Sequence, residues 1–211
     1  MKDSKNVVPP NLGWIETTLK EEHIEYLWEI IKEAEKKNKD FKYTLAGNIS
    51  KSLELTDKNN YFYNEVLFPH AQRYFSMNGN KHPFRAEGSH NVDLALEGFW
   101  VNYQMQNEFN PYHHHGGIYS FAIWLTIPTD WKEQNKLPFL EGIKENDRKV
   151  SNFEFEFLDL LGNIKNYGYR LDKSMEGTML FFPALLRHTV YPFYNCDKPR
   201  ISVAGNLFRH V

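Results

Sequence analysis

The sequence predicts a mainly β protein of the α+β class: an antiparallel jelly roll with a helical layer at its N-terminal side. Alternation of apolar and polar residues with period two begins at residue 92 and recurs in about seven short stretches to the C-terminus. Residues 1–91 carry helical spacing instead. Aromatic residues make up 16% of the chain, which suits a β-rich interior. Two helices followed by a run of strands fit one jelly roll covered on one side by helix. At 211 residues the chain supports one well-buried core. Residues 1–211 are therefore read as a single domain, with a helical portion (1–91) and a jelly-roll core (92–211).

Composition narrows the class. Hydrophobic residues are 41% and charged residues 25%, as in globular rather than disordered chains. The formal charge of −2 leaves no basic surplus, so nucleic acid is not an expected partner. Cys196 is the one cysteine and cannot form an internal disulfide, which favours a reducing, cytoplasmic setting. The opening Met1-Lys-Asp-Ser-Lys-Asn6 lacks the apolar core of a signal peptide. No stretch approaches the ~18 apolar residues of a membrane span, so no membrane partner is expected.

Residues 1–13 read as irregular, closed by Pro9, Pro10 and Gly13. Thr18 and Glu21 have capping-box spacing for a first helix. In it Ile24, Leu27, Trp28 and Ile31 recur on one face, and Lys36 and Lys37 suit its C-terminus. The expected role is a layer packed on a sheet. Residues 40–56 are mixed, with Leu45-Ala-Gly-Asn-Ile-Ser50 as a loop or turn. A second helix is expected from about Asn59 to Tyr74, kinked at Pro69 or starting there. Residues 76–91 form a polar connection.

The strands follow. Val92, Leu94 and Leu96 share a face, and after Gly98 so do Phe99, Val101, Tyr103 and Met105. Tyr119 to Ile127 is apolar on both faces, as in a strand covered from both sides. Residues 129–150 are charged and carry no strand pattern, so they form a lid or a plain surface loop. Phe153, Phe155 and Phe157 alternate with polar residues, and a turn at Gly162-Asn163 follows. Segments 177–182, 188–193 and 200–208 complete the set.

Chemistry concentrates in Asn110-Pro-Tyr-His-His-His-Gly-Gly117, which holds three of the nine histidines. On a strand, His113 and His115 project to one side and His114 to the other. Two imidazoles on one side are half of a metal site for iron, copper, nickel or zinc, and His188 supplies a third. The alternative is a polar turn with no metal. Farther on, Arg200 and Ser202 share a face of an otherwise apolar strand. A buried guanidinium is costly unless paired, and a carboxylate matches its fork. That carboxylate belongs either to an Asp or Glu of the protein or to a bound small molecule.

Several segments taken together resemble the iron(II)- and 2-oxoglutarate-dependent oxygenases, and more narrowly the small oxygenases of that superfamily found in marine bacteriophages and bacteria. They are Leu45–Ser50, Trp100-Val-Asn-Tyr103, Asn110–Gly117 leading into Tyr119–Pro128, Gly177–Pro183, His188–Phe193 and Arg200–Asn206. The resemblance covers nearly all of the chain after residue 40, and its C-terminal piece is the most specific.

The resemblance implies a double-stranded β-helix (cupin-like jelly roll) and a dioxygenase, a hydroxylase of the prolyl hydroxylase kind. Such an enzyme couples decarboxylation of 2-oxoglutarate to substrate oxidation, with Fe(II) as cofactor and 2-oxoglutarate and O2 as cosubstrates. It implies His113, His115 and His188 as metal ligands, with Arg200, Ser202 and Tyr103 binding 2-oxoglutarate. His115 stands where the usual carboxylate ligand would be. A shifted register, His115-x-Gly117, would resemble oxygenases that leave room for a halide. The primary substrate is left open between a protein or peptide and a small molecule. Two rival readings are a cupin-type metalloenzyme without 2-oxoglutarate and a jelly-roll binding module without catalysis. The first lacks the expected glutamate at Ile118 or Tyr119; the second makes metal and Arg200 dispensable.

Overall fold

The computed structural model describes residues 13–83 and 93–209. The expectations for residues 1–12, the 84–91 half of the 76–91 connection and Val92 lie outside them. A short strand β1 (Ile15–Thr18) precedes helix α1 (Glu21–Lys37). Thr18 therefore belongs to a strand, and the expected capping box does not form: the N-cap is Lys20, with no side-chain cap bond. Charge favours the ends instead, with Glu21 and Glu22 in the first turn and Lys36 and Lys37 in the last. Asn38 ends the helix in a left-handed conformation, its N–H donating to Ala34 O at 2.7 Å. Leu27, Ile30, Ile31 and Ala34 form the buried face.

Strand β2 (Lys51–Glu54) arises within the segment read as mixed. The second helical region is a 3-10 turn (Lys58–Asn60), a π-helical stretch (Tyr63–Leu67) and α2 (Phe68–Met77). Pro69 sits in the first turn of α2, so it marks the start of the α-helix.

The remaining strands are β3 (Leu94–Gln104), β4 (Asn110–His113), β5 (Tyr119–Thr126), β6 (Phe153–Leu158), β7 (Ile164–Tyr169), β8 (Thr178–Pro183), β9 (Arg187–Val190) and β10 (Arg200–Arg209). They form two antiparallel sheets, ordered β1-β8-β5-β10-β3-β2 and β4-β9-β6-β7. Strand β3 runs unbroken through Gly98. The glycine takes φ +70, and the register against β10 shifts between Gly205 and Asn206. Gly98 thus makes a bulge rather than the gap between two strands. Strand β7 escaped the sequence reading because it lies at the edge of its sheet and is exposed except for Tyr169.

Two cores result. One lies between the helices and the six-stranded sheet, with Leu27, Phe62, Leu67, Phe121, Ile123 and Val203 fully or nearly fully buried. The other lies between the sheets, around Trp124, Phe153, Phe155 and Phe182. This is the helix-backed, two-sheeted jelly roll that the strand pattern predicts. Segment 129–150 contains a one-turn helix α3 (Trp131–Gln134) and two 3-10 turns. It is fastened to the body: Gln134 Nε2 donates to Tyr194 O at 2.8 Å, and Tyr194 N donates to Gln134 Oε1 at 2.9 Å. None of the described helices is long and apolar enough to cross a membrane.

Candidate active site

The histidine motif ends β4, and β4 pairs with β9 so that His113 sits directly opposite His188. Cross-strand pairing therefore joins residues far apart in the chain. His115 reaches the same place by a different route from the one its spacing suggested. The strand stops at His113, and His115 stands in the turn beyond it, its N–H donating to Ala184 O at 2.9 Å. That turn needs Gly117, which takes φ +95 and whose Cβ would lie 2.8 Å from Leu207 O.

One ligand nitrogen from each of His113, His115 and His188 lies within 4.8 Å of the other two, a grouping able to hold a metal ion. His113 Nδ1 lies 2.7 Å from Pro111 O, and His188 Nδ1 lies 2.9 Å from Leu186 O. A carbonyl oxygen only accepts, so each Nδ1 carries the proton and each Nε2 presents a lone pair. His115 Nε2 is 3.1 Å from His188 Nε2. Two imidazoles bound cis to one metal at about 2.1 Å would have nitrogens about 3.0 Å apart. Burial, followed by the neighbouring histidines, holds His115 down at about 3 and His188 well below the ordinary histidine range. Burial also lowers His113. All three are neutral near pH 7, the form that binds metal. His114 is exposed and outside the cluster.

The three histidines line a cavity of about 220 Å³ between the sheets, which Arg200 and Ser202 also line. Arg200 is 1% exposed. Its Nη1 donates to Gln104 Oε1 at 3.3 Å, and its Nη2 donates to Ser151 O at 3.2 Å and Ser151 Oγ at 2.6 Å. Phe193 covers one face of the guanidinium at 5.0 Å. Among the described residues no carboxylate pairs with it, and its Nε has no partner. Burial lowers Arg200 to about 9, so it stays charged at neutral pH. Trp100 Nε1 and Asn102 Oδ1, on other residues lining the cavity, are likewise buried without partners. Buried polar atoms are ordinarily satisfied, so this set fits a polar, anionic ligand.

Tyr103 is corrected. Side chains alternate along β3, so Trp100, Asn102 and Gln104 face the cavity while Tyr103 joins the core on the helix side. Its hydroxyl donates to Glu35 Oε1 at 2.8 Å. Asn102 and Gln104, two polar residues on a buried strand, were the signal for the correct face. Ser151 had no signal: it reaches Arg200 through the path of the 129–150 segment. That segment contributes no wall to the cavity. Loop residues Leu45, Ala46 and Ile49 do.

A double-stranded β-helix with a histidine triad and a buried arginine facing one cavity defines a class, the metal-dependent oxygenases of this fold. A family model described as "Putative 2OG-Fe(II) oxygenase" matches residues 98–206, more than half of the chain, and the chain belongs to that family. Membership implies Fe(II), 2-oxoglutarate and O2 as cofactor and cosubstrates. No curated protein matches the sequence.

Solved structures share the fold. A 2OG-Fe(II) oxygenase family oxidoreductase from Burkholderia pseudomallei has a TM-score of 0.52 at 10% identity, over 95% of this chain and 86% of that one. A Pseudomonas putida prolyl-4-hydroxylase has 0.54 at 14% identity, over 94% of each chain. A Trichoplax adhaerens prolyl hydroxylase, in complex with a hypoxia inducible factor oxygen degradation domain peptide fragment, has 0.52 at 10% identity. That match spans 93% of this chain and 84% of the other.

Proposed function

We propose that residues 1–211 form one Fe(II)- and 2-oxoglutarate-dependent hydroxylase domain acting in the cytoplasm. In this reading His113, His115 and His188 hold the iron. Arg200, helped by Ser202, binds the far carboxylate of 2-oxoglutarate. The observation that carries it is the pairing of three converging imidazoles with an arginine that meets no carboxylate among the described residues, across one cavity.

Bound there, Fe(II) and 2-oxoglutarate supply the oxidising chemistry, in which O2 is consumed, succinate and CO2 form, and a substrate C–H bond is hydroxylated. The protein's own groups do the rest. Nδ1–H bonds to Pro111 and Leu186 orient two ligand rings and fix their tautomers. Three neutral imidazoles bring no charge to the metal, so a bound dicarboxylate is the main local anion. Arg200 offsets its far end from a position that water does not reach. Trp124 and Phe153 give the cavity a buried apolar wall beside the polar groups. The substrate is a peptide or a small molecule, bound beside the 45–49 loop that lines the cavity.

Titration of 2-oxoglutarate into Fe(II)-loaded protein without O2 tests the reading. Binding that needs metal and is lost in Arg200→Ala is the expected result. Metal-independent binding, or none, overturns it. Succinate release in a screen of peptides and small molecules then identifies the substrate.

A further inference from the structure

We propose that Ser151 and Gln104 are positioning residues that form an uncharged cradle for Arg200. They orient the guanidinium without neutralising it and so reserve its charge for a carboxylate ligand. This rests on the reading of Arg200 as the 2-oxoglutarate anchor.

Each half of the cradle is itself held in place. Gln104 Nε2 donates to Glu108 O at 2.6 Å, which fixes the amide so that Oε1 faces Arg200. Ser151 is fully buried and takes φ 65, a left-handed turn. Its N–H donates to Pro192 O at 2.8 Å. In that turn its carbonyl and its hydroxyl both accept from Arg200 Nη2, and its Oγ lies 3.4 Å from Thr129 Oγ1. The 129–151 excursion thus starts and finishes at one side of the anchor.

A buried arginine in a protein core is ordinarily paired with Asp or Glu, because an unpaired buried charge is costly. Here both donor ends meet neutral oxygens, an aromatic ring covers the face, and Nε has no partner among the described residues. Neutral acceptors fix direction while leaving the net charge uncompensated. A carboxylate in the same place would also fix direction but would compete with the ligand.

Ser151 allows an isosteric test, because Asn and Asp both tolerate a left-handed turn and differ chiefly in charge. Affinity for 2-oxoglutarate is measured by calorimetry on Mn(II)-loaded protein, with thermal denaturation of every variant. Ser151→Asn is expected to bind within about fivefold of the wild type, and Ser151→Asp at least about fiftyfold more weakly. Equal affinities of the two overturn the cradle. Ser151→Gly keeps the backbone carbonyl and the turn and removes only Oγ. It is expected to weaken binding about tenfold. At saturating 2-oxoglutarate its kcat for succinate release should be unchanged.

An unchanged affinity of Ser151→Gly, or a loss in kcat at constant KM, overturns the proposal even if the larger variants do not fold. A wild type that binds no 2-oxoglutarate would instead remove the anchor reading itself.

Discussion

His115 Nε2 and His188 Nε2 lie 3.1 Å apart, although one comes from a turn and the other from a strand of the smaller sheet. Since His188 Nδ1 carries the proton, its Nε2 lone pair points into that gap. His115 fills that gap either by a proton on Nε2 donated to His188 or, when Nε2 also presents a lone pair, by sharing a cation with it. We therefore expect His115→Ala and His188→Ala each to lose about a hundredfold or more in Fe(II) or Co(II) affinity. His114→Ala, altering an exposed ring outside the cluster, should bind metal as the wild type does. Calorimetry with Co(II) separates these, and a His114 effect as large as the others would sink the assignment.

Tyr103→Phe tests the alternation along β3. Its hydroxyl bonds Glu35 on the helix side, and Lys51 Nζ lies 4.0 Å over its ring. The variant should lose about 0.5–1.5 kcal/mol of stability, the ordinary worth of one hydrogen bond. Its 2-oxoglutarate affinity should not move. A clear loss of affinity with unchanged stability would put Tyr103 back at the cavity.

How much was legible in the sequence follows from which signals are local. Period-two alternation located most of the core strands, and the burial of both faces of β5 was readable from the apolar residues on each of its two rows. Arg200 declared itself as a charge in an apolar strand. Tyr103 was misjudged because choosing which of two alternating rows faces the site needs the neighbouring strand. In the register Gln104 opposes Arg200 and Asn102 opposes Ser202, which settles the face. Strands β1 and β2 are only four residues long, too short for a period to emerge. Ser151 was beyond reach because its role depends on where a long irregular segment returns.

Gly47→Ala is expected to loosen the wall beside the histidine motif. The 45–50 loop is docked on the chain just before β4: Asn48 N donates to Phe109 O at 2.9 Å and Ser50 N to Glu108 Oε1 at 2.9 Å. A Cβ on Gly47 would overlap the Asn110 side chain and come within 2.7 Å of Phe109 O. The backbone oxygen cannot rotate away, so loop and strand must separate. A cost of about 1–3 kcal/mol is expected from the overpacking. Substrate KM should rise more than metal affinity falls, because the loop walls the cavity without ligating. An alanine variant with wild-type melting temperature and KM would refute the docking.

Stability of the metal-free protein in mild acid follows from its buried histidines: the three of the site, and His70 and His82 outside it. Burial is the main cause that lowers both His70 and His82 below the ordinary value. His70 Nδ1 lies 2.6 Å from Val66 O, and His82 Nδ1 is 2.9 Å from Tyr119 Oη. The unfolded chain protonates its histidines as pH falls through about 6.5, whereas the folded chain does so only at lower pH. More protons are then bound by the unfolded state, so stability falls as pH drops, by at most about 1.4 kcal/mol per pH unit for each such group. Carboxylates held low, such as Asp40, Asp159 and Asp172, lose their contribution only in stronger acid. The window from about pH 6.5 to 5 therefore belongs to the histidines. Urea midpoints of metal-free protein should be flat above about pH 7 and decline below it, with a shallower decline in His70→Gln. Midpoints that rise toward pH 5 would contradict the buried, neutral state of these rings.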